Sequence, residues 1–182
     1  MQNISKRQPI VCFLVTALLI VVASPGFAAQ EEFVTQVQQT IERFQTVEPR
    51  TTDLFQTAYA YVVFPRIEKG AAGIGAASGD GLVFENGRLT GSARMSQVSL
   101  GVQVGGGTYA QVIFFENRET MNQFLRNDIM ATSQATLWRA EDTESVHGSD
   151  RPGLLVFTMG RTGVFAAASA GAERVSFCPF GQ

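Results

Sequence analysis

The chain has 182 residues, with 14 Lys and Arg against 16 Asp and Glu, two Cys and one His. The slight acidic excess gives no bulk attraction for polyanions, so nucleic acid is not an expected partner. The length suits one domain with a single core.

Residues 1–28 carry only two charges, Lys6 and Arg7, ahead of an apolar run at 10–23. That run is 14 residues long, short of the roughly 20 that a membrane-spanning helix needs. A basic start, a short apolar stretch and a small-residue end at Gly26-Phe27-Ala28 read as an export signal, with cleavage expected after Ala28. Cys12 opens the apolar run and follows Pro9-Ile10-Val11, which lacks the small residue expected before a lipidated cysteine. The expected product is one exported domain, 29–182, in the periplasm or associated with the envelope. It keeps 154 residues with 12 basic and 16 acidic side chains, net −4, and only Cys178 and His147 of their kinds. One thiol makes no intrachain disulfide, and one Cys with one His is too few for a zinc site of that type. No metal or cofactor is expected.

Residues 30–48 predict a helix, because Phe33, Val34, Val37, Ile41, Phe44 and Val47 fall on one arc; the helix stops before Pro49. Its charges are mostly glutamates, so the apolar arc is expected on the protein core rather than on a membrane. A second short helix is predicted at 52–58 with Thr51 or Thr52 as N-cap. The aromatic, β-branched run at 58–65 reads as a strand ending at Pro65. Between 70 and 107, 11 of 38 residues are glycine, and Asn86-Gly87 marks a two-residue hairpin turn. Leu100, Val102 and Val104 alternate with Gly101, Gln103 and Gly105 as in a strand with one bare face, and 110–115 reads as a buried strand. A third helix is predicted after an Asn117 cap, with Met121, Phe124, Leu125 and Ile129 on one side. A polar loop follows at 141–151, then strands at 153–158, 163–168 and 173–177. The fold class is α+β: a glycine-rich, mostly antiparallel sheet or barrel with an N-terminal helix and one or two others.

Little in the chain supports catalysis. Gly73 to Gly81 has the wrong spacing for G-x-G-x-x-G and leads into a strand, not the helix that would hold a phosphate. No G-x-S-x-G occurs, and His147 stands in a polar loop without a triad. Cys178 reads as a buried apolar residue. Asp80 lies between glycines, where turns explain it. A hydrolase built on Asp80 or His147 therefore ranks last, and no catalytic residue is assigned. The cations of Pro65-Arg66-Ile67-Glu68-Lys69-Gly70, with Arg88 and Arg94, are candidates for a shared rim that meets lipid headgroup phosphates.

The ordered motifs VVFPRIEKG (62–70), GIGAASGDG (73–81), SLGVQVGGG (99–107) and TGVFAAASAG (162–171) resemble the SYLF domain family over 58–177. Its fungal members are also described as actin-regulator domains. The resemblance implies a non-enzymatic module that binds membrane phospholipids, with anionic headgroups as partners and no cofactor. Lys69 matches the family's Lys-Gly position and inherits from it a headgroup role. Ala71 replaces a usual second glycine, and Thr162 and Ala167 stand where a lysine and a glycine often occur. Phosphoinositide preference and actin binding are not carried over to an exported bacterial-type member. The alternative expectation is a periplasmic binding or scaffold domain for a small apolar ligand or a protein partner.

Overall fold

The structure is a computed structural model that describes residues 25–126, 129–138, 144–148 and 153–180. The elements in chain order are α1 (Pro25–Val47), α2 (Arg50–Thr57), β1 (Ala60–Glu85), β2 (Arg88–Phe115), α3 (Arg118–Arg126), β3 (Ile129–Trp138), β4 (Glu144–Gly148) and β5 (Leu154–Pro179). Most of the expected export signal, residues 1–24, lies outside the described residues, as do 141–143 and 149–151 of the expected polar loop. The fold is α+β, with three helices among the described residues and an antiparallel sheet of order β1-β2-β5-β3; β4 also pairs with β5.

Asn86 and Gly87 both take positive φ, 49° and 73°, so the β1–β2 hairpin closes through the turn its sequence favours. The hairpin then coils over. The Asn86 N–H donates to the Tyr59 carbonyl, which brings the turn back to the start of β1. The two halves of β1 pack face to face, and here glycine is required. A Cβ at Gly79 would lie 2.6 Å from the Arg66 carbonyl oxygen, and one at Gly81 would lie 2.6 Å from that of Val63.

The coil divides the core in two. Its inside holds Val62, Phe64, Ile67, Met95, Ile113 and Val175, with Met121 and Phe124 of α3 packed against them. Its outside holds Tyr61, Val63, Val112, Phe114 and Phe157, covered by Val37, Ile41 and Phe44 of α1 and by Phe55 of α2. Phe55 sets its ring edge-on to Tyr61 and Phe114, with centroids 5.0 and 4.8 Å away. The middle of the apolar arc of α1 thus meets the sheet, while Val34 and Val47 of the same arc are exposed.

Several boundaries differ from expectation. Pro65 does not end its strand: β1 pairs only with β2, and a bulge between Phe64 and Ile67 accommodates the proline. α2 starts at Arg50 behind Pro49, and buried Thr51 donates its hydroxyl to the Glu48 carbonyl instead of capping. The cap of α3 is as expected, with Asn117 Oδ1 accepting from the Thr120 N–H at 2.9 Å. Ile129, however, belongs to β3. Part of the expected loop is the strand β4. The three late strands are one, β5, held straight through by its long partner β2. β3 and β4 keep a single register along β5, with Trp138 opposite Phe165 and Glu144 opposite Met159.

Candidate functional site

Of the four expected cationic positions, Arg66, Arg88 and Arg94 are exposed and Lys69 is buried. Arg66 is exposed and points its guanidinium at Glu68 Oε1, 3.1–3.2 Å away. Arg94 forms a bidentate pair with Asp80 across the β1–β2 ladder, at 2.8 and 3.1 Å. Arg88 is exposed beside the hairpin turn, opposite Glu85. Lys69 is different. Strand alternation that puts Glu68 outside turns Lys69 inward, where only 7% of it is exposed. Burial brings its ammonium down to about 8, against the opposing pull of the Glu173 charge. Asp80, tied to Arg94, is exposed. His147 lies on β4 opposite Val156, and its side chain is outside the described residues. Cys178 is exposed rather than buried, because it falls on the outward register of β5.

Lys69 belongs to a polar interior. Gln97, Ser99, Gln103, Gln111 and Glu173 are all buried with it. Ser99 donates its hydroxyl to Gln103 Oε1 at 2.9 Å, and Gln103 Nε2 donates to the carbonyls of Ser99 and Gly73. Gln111 Nε2 donates to Glu173 Oε1 at 3.3 Å. Burial still holds the Glu173 carboxyl above its ordinary range, and Gln111 and Lys69 only partly oppose this. Among the described residues no buried side-chain nitrogen or oxygen lacks a partner.

The other face of the same strands is inverted relative to an ordinary domain. Val98, Leu100, Val102 and Val104 of β2 are 59%, 62%, 84% and 65% exposed, and Ile74 of β1 is 66% exposed. Register sets Ala72, Ile74 and Ala76 opposite Val104, Leu100 and Val98. On the far side it aligns the same residues of β2 with Ala166, Ala168, Ala170 and Ala172 of β5. One strand further, Ala131, Ser133, Ala135 and Leu137 of β3 are the register partners of these alanines. The described side chains form an aliphatic face centred on β1 and β2. It runs for seven residues, about 20 Å, from Val98 to Val104. Polar positions bound it: Ser78, Ser96, Arg94 and Arg174 at one end, Glu68 and Gly106 at the other.

A second feature lies where α1 meets the sheet. Gln36, Gln39, Thr40 and Arg43 follow at helical spacing beside the buried seam of α1 and face Arg66 across a cleft of about 400 Å³ floored by Ala110 and Met159. Among the described residues no group of three His, Cys, Asp or Glu is placed to hold a metal ion.

No family model matches the chain, and no curated protein or solved structure matches it.

Proposed function

We propose that the protein is a non-enzymatic phospholipid-binding module, exported to the cell envelope, that rests peripherally on a membrane through the aliphatic face centred on β1 and β2. The observation that carries this reading is the row Val98, Leu100, Val102 and Val104, exposed side by side with Ile74. The resemblance of the motifs to the SYLF family points the same way.

The chemistry of the face favours hydrocarbon over a protein partner. Binding hot spots between proteins are rich in Trp, Tyr and Arg, which combine packing with directional bonds. The described side chains here are Val, Leu, Ile and Ala, which offer area and no directionality. Fully burying such a residue contributes about 1.5–3 kcal/mol. The five exposed ones together supply on the order of 5–8 kcal/mol before the losses of immobilisation. That range suits reversible association. No described helix is long and apolar enough to cross a membrane, so the contact proposed is made by the sheet.

Charge sets the salt dependence. With the exported domain at net −4, bulk electrostatics repels an anionic surface and attraction is apolar or local. Co-sedimentation of the exported protein with phosphatidylethanolamine/phosphatidylglycerol vesicles is expected to persist or strengthen as salt rises. Absence of sedimentation at both low and high salt would overturn the proposal. A fixed dimer that hides the face without vesicle binding would establish the scaffold reading instead.

A further inference from the structure

We propose that the cleft between α1 and β1 is a phosphate site, with Arg43 and Arg66 as its two cationic walls. This deepens the membrane reading, and its lipid arm rests on that reading; the site itself stands on separate residues.

The pattern begins in the sequence of α1. Val37, Ile41 and Phe44 bury one seam against the sheet. Beside that seam, Gln36, Gln39, Thr40 and Arg43 recur at i, i+3, i+4 and i+7, so one polar stripe follows the edge of the contact. β1 answers with Arg66, the outward residue of the bulge at Pro65. The walls of the cleft are therefore two guanidiniums and two carboxamides, over a floor of Ala110 and Met159. Thr40 spends its hydroxyl proton on the Gln36 carbonyl at 2.8 Å, which leaves its oxygen as an acceptor.

Among the described residues that line the cleft none is a carboxylate. Arg43 makes no ion pair among the described residues, although the exported domain has more acids than bases. The acid that engages Arg66 is Glu68, and both side chains of that pair are more than 60% exposed. Such a pair is worth about 0–1 kcal/mol, so an incoming anion displaces it at little loss. Two guanidinium forks and two amides carry more N–H donors than the two oxygens of a carboxylate can accept. A phosphate, with three or four oxygens, matches them. The volume of the cleft leaves room for the group that carries the phosphate. Along β2 the floor residue Ala110 and the aliphatic residue Val104 lie on the same outward face, with Thr108 and Gly106 between them. The phosphate is thus either a headgroup held above inserted chains or a soluble phosphate ester.

The test uses the exported protein, its Arg43→Gln/Arg66→Gln variant and its Val102→Asp variant, with circular dichroism confirming the fold of each. Calorimetric titration with glycerol 3-phosphate and with inorganic phosphate is expected to show binding that the double arginine variant weakens about tenfold or more. Val102→Asp is expected to leave this binding unchanged, which separates the phosphate site from the membrane reading. Phosphatidylcholine vesicles with and without phosphatidic acid then assign the source. Enhanced binding to phosphatidic acid that the arginine variant loses identifies a lipid headgroup; glycerol 3-phosphate binding without that enhancement identifies a soluble ester. The proposal is overturned if neither phosphate binds and phosphatidic acid gives no enhancement, or if the arginine variant binds as well as the native protein.

Discussion

Val102 offers the sharpest handle on the membrane reading. It sits centrally in the aliphatic row, 84% exposed, with Ala168 of β5 as its register partner. Transfer of a valine side chain into hydrocarbon is worth about 1.5–2 kcal/mol, and at this exposure nearly all of it depends on the membrane. Replacing it by aspartate forfeits that gain and places a carboxylate where insertion scales assign a further penalty of about 2.5 kcal/mol. If the aspartate reaches the polar border, only the first part is lost. The expected weakening of vesicle binding by Val102→Asp therefore runs from about tenfold to about a thousandfold. The fold supplies the control. An outward, solvated position leaves the core untouched, so the unfolding free energy from urea titration is expected to change by no more than about 1 kcal/mol, the span of β-propensity. Val102→Thr keeps the β-branch and is expected to lie between the two in vesicle affinity. Co-sedimentation against a lipid series, read beside urea unfolding, measures both. A folded Val102→Asp protein that binds vesicles like the native one would refute the assignment of this face to the membrane.

Other parts of the structure carry their own tests. Gly79→Ala, whose methyl meets the Arg66 carbonyl at 2.6 Å, is expected to lose about 1–3 kcal/mol in urea unfolding. Gly70→Ala, which meets nothing within 4 Å, is expected to be neutral or stabilising by up to about 1 kcal/mol. Asp80→Asn removes an exposed pair with Arg94 and is expected to change stability by less than about 1 kcal/mol, a larger loss showing that the pair holds the hairpin. Lys69, at about 8 when folded against 10.5 ordinarily, predicts a pH effect. Between those values the unfolded chain still holds a proton that the folded chain has released. Stability of the native protein is therefore expected to rise with pH through that window relative to Lys69→Met, and parallel unfolding curves would count against a desolvated lysine.

What the sequence disclosed is what short-range chemistry determines. The Asn86-Gly87 turn, the Asn117 cap and the apolar seam of α1 each depend on neighbours within a few residues, and each is where its residues predict. Long β-strands were harder to read. Pro65 and the glycines look like terminators, yet a bulge and a long partner carry β1 and β5 through them. Lys69 appeared to join Arg66, but the bulge at Pro65 decides which residues of β1 face outward, and it lies between elements that local pattern treats as separate. Alternation at Leu100, Val102 and Val104 marked a strand correctly without indicating which side was the interior. The polar stripe from Gln36 to Arg43 was legible at helical spacing; attention to the apolar positions alone passed over it, and only the fold brings it against Arg66.

One physical cause links the glycines to the inverted face. Gly79 and Gly81 let two halves of a strand approach until a single methyl would strike backbone. A sheet coiled that tightly has little interior volume, and the apolar volume inside is concentrated where Phe64, Ile67 and Ile113 already fill it. Further along β2 the buried positions are Ser99 and Gln103, which bond to one another and to the carbonyls of Ser99 and Gly73. Bulk on those strands can then be carried only outward, and there it is aliphatic. A solvated sheet with polar groups inside and valine outside gives up hydrophobic stabilisation in water that an ordinary orientation would gain. The arrangement becomes favourable when an apolar phase takes the place of water at that face, as in sheets whose outward residues meet hydrocarbon. The same glycines that permit the coil therefore commit Val98, Leu100, Val102 and Val104 to the surface on which the proposed function depends.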